Sequence, residues 1–173
     1  MSNPMRDIYL DKVVVNIGIG PTEDKLENAK TLLKKLTGHE AGFAKAKKRF
    51  PEFGIRQGQI IGTMVTLRGI EALNFFKSAL DANGNVLFTN SIANNSVNFG
   101  IKEYIYFSGV KYDPKIGMLG LNVNASFSRK GARVGLRKRR RSIVSKEHKM
   151  IKADELKSYV ESKFGIKVTE KEG

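Results

Sequence analysis

Two runs of basic side chains carry most of the chemistry this chain can offer a partner. The first is Lys45-Ala46-Lys47-Lys48-Arg49-Phe50. An extended backbone here would put Lys45, Lys47 and Arg49 on one side at period two, a comb matched to a phosphate backbone, with Lys48 beside it. A lysine-guarded edge strand uses the same residue types. Interleaved Phe43, Phe50 and Phe53, whose rings can stack on bases or pack below, favour RNA. The second run holds Arg129, Lys130, Arg133, Arg137, Lys138, Arg139, Arg140 and Arg141, with Gly131 and Gly135 among them. Arginine forks onto phosphates and stacks on bases, so such an arm is suited to ordering between RNA helices. A targeting signal has similar composition, but it would not need anchoring at both ends between a core strand and a core helix.

Catalytic and cofactor chemistry finds no comparable support. Gly18-Ile19-Gly20 follows an apolar strand and precedes a helix, as a dinucleotide fingerprint would. Glu23 takes the place of the third glycine, though, and puts a carboxylate where a pyrophosphate would sit. His39 and His148 are the only histidines and there is no cysteine, which leaves no metal-ligand spacing. Nucleophile-elbow and phosphate-loop motifs are absent, and no carboxylate pair shares a face with a His or Lys base. The expectation is a protein with no catalytic residues, no metal, no cofactor and no small-molecule substrate.

The elements that must position these groups follow from periodicity. Ile8 to Ile19 reads as a strand ended by Gly18-Ile19-Gly20-Pro21. Within it Asn16 is a polar residue that either caps the loop or faces a ligand. Thr22 is placed to cap a helix with Leu26, Ala29, Leu33 and Leu36 inward, stopped by Gly38. A turn over Ile55 to Gln59 leads into a strand from Ile60 to Leu67. Gly69 opens a helix with Leu73, Phe76 and Leu80 on one face, ended by Asn83-Gly84. Asn90 to Asn98 reads as a polar loop, Phe99 to Phe107 and Met118 to Phe127 as strands, and Ala153 to Phe164 as a helix stopped by Gly165. Asn98 to Tyr106 faintly echoes an RNA-recognition signature, but core packing explains it as well. Helices and strands alternating early, with strands running together late, predict an α+β fold: a mostly antiparallel sheet with helices on one face, plus a long basic arm over 129–149.

Composition sets the frame. The 173 residues hold 31 Lys plus Arg against 17 Asp plus Glu, a formal charge of +14. The segment 45–56 has five basic residues and one acid, and 129–149 has ten and one, so the rest is nearly neutral. Such a chain suits a polyanion, nucleic acid before membrane. With mean hydropathy −0.32 and no apolar run of spanning length, no transmembrane helix is expected. Met1 to Asp7 lacks the apolar core of a secretory signal, and the absence of cysteine fits an intracellular protein. One RNA-binding domain over 1–173 is expected.

Several blocks, in order, carry a resemblance. They are Asn3-Pro4-Met5, Lys12-Val13-Val14-Val15-Asn16-Ile17-Gly18-Ile19-Gly20, Leu36-Thr37-Gly38, Lys45-Ala46-Lys47-Lys48-Arg49 and Phe53-Gly54-Ile55-Arg56-Gln57-Gly58. Ile61-Gly62, Val65-Thr66-Leu67-Arg68-Gly69, Phe99-Gly100-Ile101-Lys102-Glu103 and Gly109 to Gly117 complete them. Together they resemble the family of the universal large-subunit ribosomal protein five, which binds 5S ribosomal RNA, in its archaeal form. The resemblance implies a curved sheet whose concave side and N-terminal segment grip 5S ribosomal RNA in the central protuberance, beside large-subunit RNA and other central-protuberance proteins. It brings Asn3, Asn16 and Arg68 into the RNA-binding set with the two basic runs. It also implies that Phe53, Arg56 and Gln57 face the transfer RNA in the peptidyl site, and that the protein works in the cytoplasm on the ribosome, with no membrane partner. Two departures stand out: Ile92-Ala93-Asn94-Asn95-Ser96 replaces a family F-D-x-x-G-N segment, and Arg129-Lys130-Gly131-Ala132-Arg133 lacks the proline and ring of R-P-G-aromatic-R. The alternative reading is a nucleic-acid-binding regulator that uses the basic block as a targeting segment.

Overall fold

The computed structural model describes residues 3–20 and 23–169. The cap expected at Thr22 lies outside the described residues. In chain order the strands are β1 (Ile8–Gly18), β2 (Gly42–Lys45), β3 (Ile60–Arg68), β4 (Val86–Phe88), β5 (Ile92–Ala93), β6 (Ser96–Ile101), β7 (Leu121–Arg129) and β8 (Lys167–Thr169). The helices are α1 (Glu23–Thr37), α2 (Gly69–Ala82), α3 (Lys146–Lys149) and α4 (Ala153–Phe164). Six strands form one sheet in the order β2-β3-β1-β7-β6-β5, while β4 and β8 form a separate parallel pair. β2 runs antiparallel to β3, and β5 to β6, so the fold is α+β as the alternation of elements predicts. The chain divides into two compact units, one made of residues 14–67 and 100–123, the other of the segments up to 13, 68–99 and from 124 onward.

In the first unit, Val15 and Ile17 of β1 are buried at period two, and Val65 and Leu67 do the same in β3. β3 comes so close to β1 that a Cβ on Gly62 would stand 2.5 Å from the Ile17 carbonyl oxygen, so only glycine fits there. α1 buries Leu26, Ala29, Leu32 and Leu33 and ends at Gly38, whose φ of +73° no β-branched residue would tolerate. The strand expected over Phe99–Phe107 stops at Ile101. Tyr104 instead begins a single 3-10 turn that turns its ring inward, 1% exposed, with its hydroxyl accepting from the Asp113 amide at 2.9 Å.

The second unit is centred on Phe76 of α2. Its ring meets Phe99 at 6.2 Å, Phe127 at 6.0 Å and Phe164 at 5.1 Å, the last two edge-on, and Phe127 meets Tyr159 at 6.0 Å. α4 occupies the expected residues, buries Leu156 and Val160, and ends at Gly165 in the left-handed region.

The polar stretch Asn90–Asn98, expected as a loop, is a hairpin. Ile92 pairs with Val97 and Ala93 with Ser96 across the two-residue turn Asn94-Asn95. Asn95 has φ 64°, a conformation asparagine tolerates better than most residues, and its polar side chain is used internally. Its Nδ2 donates to the carbonyls of Lys149 at 2.7 Å and Phe127 at 3.4 Å, and its Oδ1 accepts from the Ile151 amide at 3.0 Å.

The basic segment expected as a long arm turns back on itself. A 3-10 turn over Ala132–Gly135 buries Ala132 and Gly135. The Ser142 amide donates to the Val134 carbonyl at 3.3 Å, and α3 is capped by the Ser145 hydroxyl. Side-chain contacts add to these backbone bonds, Asn95 Nδ2 to the Lys149 carbonyl and His148 Nε2 to the Lys130 carbonyl, while residues 136–143 are exposed.

Candidate nucleic-acid interface

In the first unit the comb is interrupted. β2 ends at Lys45 after a register shift, because Ala46 turns inward to 5% exposure and pairs with the return limb: its amide donates to Gln59 at 2.8 Å and its carbonyl accepts from Gly58 at 2.9 Å. The chain then bends at Lys47 and Lys48, so Lys45, Lys47 and Arg49 do not share one strand face. All four cations remain exposed, clustered at the base of a finger. Phe50 and Ile55 close that finger with paired backbone bonds of 2.9 and 3.0 Å around the turn Pro51–Phe53, with Gly54 at φ 66°. Phe53 sits at its apex, 70% exposed. Arg56 and Gln57 lie exposed on the return limb, where the Arg56 amide donates to Gln59 Oε1 at 2.9 Å. Asn16 is half-buried on β1, between inward-facing Val15 and Ile17 and on the opposite side from them.

The second unit sorts the remaining candidates into held and presented groups. Asn3 caps the 3-10 turn Pro4–Arg6, its Oδ1 accepting from the Met5 amide at 3.0 Å. Arg68 Nη1 lies 3.2 Å from Asp11 Oδ1. Arg129 is the most sequestered: Nη1 donates to the Arg6 carbonyl at 3.1 Å, Nη2 to Glu155 Oε2 at 2.6 Å, and its side chain is 12% exposed. Lys130 Nζ reaches Asp7 Oδ2 at 2.9 Å, and its own carbonyl contacts His148 Nε2 at 3.0 Å. Arg133, Lys138, Arg139 and Arg141 are exposed; Arg137 bends over the tip to donate from Nε to the Arg140 carbonyl at 2.8 Å, with Arg140 at φ 51°.

Sequence reasoning concentrated on cations and passed over a polar array. Along β7 the buried Leu121, Val123, Ala125 and Phe127 alternate with Asn122, Asn124, Ser126 and Ser128, which face outward. Met64, Thr66 and Arg68 do the same on β3. The alternation that located the β7 core contained this signal; every second residue is an amide or hydroxyl able to meet a ribose or base edge.

Among the described residues one carboxylate, Asp113, is shifted. The side-chain hydrogen bond from Lys35, followed by the Lys115 amide bond at 3.1 Å, holds Asp113 below the ordinary carboxylate range. Among the described residues there is no group of three His, Asp or Glu that could hold a metal ion, and no helix long and apolar enough to cross a membrane.

Exposed basic segments on an α+β frame with outward amides are the features expected of a protein of the polyanion-binding class. Comparison with known sequences makes this specific. The family model described as ribosomal protein L5 matches residues 3–56, and the companion model for the C-terminus of that ribosomal family matches 60–167. The large ribosomal subunit protein uL5 of Pyrobaculum aerophilum is 46% identical over 96% of this chain and 93% of its own length. Those of Aeropyrum pernix and Archaeoglobus fulgidus are 43% and 41% identical, over 95% and 90% of this chain and 86% and 87% of their own lengths. The chain therefore belongs to the ribosomal protein L5 family, a family of ribosomal proteins and not of enzymes.

Proposed function

We propose that this chain is a structural constituent of the large ribosomal subunit, acting as one RNA-binding domain over 1–173 in the cytoplasm. It binds 5S ribosomal RNA and neighbouring large-subunit RNA in the central protuberance, beside other proteins of that region. The observation that carries this reading is the 46% identity to a large-subunit protein along nearly the whole chain. The structure supports it with exposed Lys45, Lys47, Lys48 and Arg49 in one unit, exposed Arg133 and Lys138 to Arg141 in the other, and the outward amides of β7. Asn16 and Arg68 add polar contacts from the sheet, and Asn3 orders the N-terminal turn. The apex of the finger, with Phe53 exposed and Arg56 and Gln57 on the return limb, contacts the transfer RNA in the peptidyl site.

The test is sedimentation of the tagged chain with ribosomal subunits, followed by crosslink mapping. Crosslinks from the 45–49 and 137–141 segments to 5S or large-subunit RNA, and from Phe53 to transfer RNA, are expected. Failure to travel with large subunits would overturn the reading; travel without a Phe53 crosslink would remove only the transfer RNA contact.

A further inference from the structure

A concavity of about 590 Å³ opens in the second unit where the turn after β7 stands over the start of β1. That volume lies within the range of small-ligand sites. Its lining includes an aromatic side chain, Tyr9, 36% exposed, and an aliphatic one, Leu136, 81% exposed. Lys12, Arg68 and Arg133 bring three cations to the lining, and Asp11 brings one carboxylate, already partnered on Oδ1 by Arg68. Aromatic, aliphatic, cationic and acidic groups together suit neither a purely apolar ligand nor a bare anion. They suit a ligand with a flat ring, a phosphate and hydrogen-bond donors on the ring edge.

We propose that this concavity receives a single guanine nucleotide turned out of an RNA chain. This rests on the reading of the protein as an RNA binder and names the part of the polymer this site takes. Unstacked bases are recognised by stacking on aromatic rings and by hydrogen bonds along their edges, and Tyr9 and Leu136 supply the two apolar surfaces between which a base lies. Lys12 and Arg133 neutralise the flanking phosphate. Guanine is the base chosen because its Watson–Crick edge offers two adjacent N–H donors, N1–H and N2–H, to a carboxylate; adenine and cytosine offer the Asp11 group one amino donor, and uracil one imide N–H. The β1 residues and the residues following β7 that build the site belong to the same compact unit, so the site needs no second chain.

The experiment has two arms on the full chain. In the first, guanosine, adenosine, cytidine and uridine 5′-monophosphates are titrated at millimolar concentration and amide shifts are followed by NMR. Shifts at Tyr9, Ser128 and Arg133, largest with the guanosine nucleotide and lost in Tyr9→Ser and Leu136→Ser, are expected; Asp11→Asn should erase the base preference. In the second, a 5S ribosomal RNA transcript from Pyrobaculum aerophilum is titrated against the same variants. Loss of one stacked base should weaken binding by about 10- to 100-fold without changing the slope of log affinity against log salt, because no phosphate contact is removed. Guanosine shifts at the site with no transcript binding would leave the site standing and remove the 5S reading. Transcript binding that Tyr9→Ser and Leu136→Ser leave intact, or equal shifts with all four nucleotides, would overturn the proposal, provided both variants unfold at the parent's midpoint.

Discussion

Arg129 and Glu155 join the end of β7 to the first turn of α4 through a 2.6 Å charged hydrogen bond, and the same guanidinium holds the Arg6 carbonyl at 3.1 Å. Arg129 thus spends its donors inside the protein, although its position in a basic run reads as a phosphate contact. Its Nε is buried without a hydrogen-bond partner, so the group carries a desolvation cost that the two Nη contacts must offset.

This clamp gives a prediction that separates structure from binding. Glu155→Gln removes the charge but no cation, and should lower unfolding stability by about 1–2 kcal/mol while leaving the salt dependence of RNA binding unchanged. Arg129→Gln should show the same pattern in urea melts. A flattened salt slope at undiminished stability would mean that Arg129 meets RNA instead.

The exposed cations should behave oppositely. Replacing Lys138, Arg139, Arg140 and Arg141 with Gln, or Lys45, Lys47, Lys48 and Arg49 with Gln, should leave stability within about 0.5 kcal/mol. Each lost phosphate contact should flatten the log-affinity against log-salt slope by about 0.7–0.9. Filter-binding titrations at several salt concentrations read this directly, and an unchanged slope for either set would remove that segment from the interface.

Asn95 should be costly to replace out of proportion to its size. Asn95→Gly keeps the positive φ but loses the bonds to Lys149, Phe127 and Ile151, a loss of about 1–3 kcal/mol. Asn95→Ala adds left-handed strain of about 1–2 kcal/mol. Denaturant midpoints in the order parent, Gly, Ala are the expected result; Ala matching Gly would show that the turn relaxes.

Asp113 predicts a pH dependence of defined sign. Its carboxyl is held low by Lys35, so the stabilisation is fully present above the ordinary carboxylate value of about 3.9 and is lost as pH falls through the lower folded value. Asp113→Asn should therefore be less stable than the parent at pH 7, with the difference closing below about pH 4. A difference that persists unchanged at pH 3 would assign the effect to the Asn side chain and not to the charge.

How much of this was legible in the sequence depended on how local the cause was. α4 matches its expected span because an apolar stripe and Gly165 define it within a dozen residues. The hairpin at Asn94-Asn95 was hidden because asparagines read as loop, while the value of Asn95 here comes from Lys149 and Ile151, distant in sequence. The strand expected through Phe107 fails for a similar reason, since Tyr104 is drawn inward with its hydroxyl on the Asp113 amide. In the candidate interface, charge density marks both basic segments, but which cations also bond a carboxylate depends on Asp7, Asp11 and Glu155, and pattern alone does not pair them.

The parallel pairing of Val86–Phe88 with Lys167–Thr169 fixes an order of events during synthesis. A ribosome delivers a chain from its N-terminus, so β4 emerges and waits through about eighty residues of translation for its partner. The unit of residues 14–67 and 100–123 has all its parts once residue 123 is made, whereas the other unit lacks β8 until residue 169 has followed. Val86 and Phe88, 36% and 47% exposed even when paired, stay unsheltered for that interval. A chain stalled between those two points would carry one finished unit and one open strand edge, the form in which a nascent protein most readily joins a neighbour.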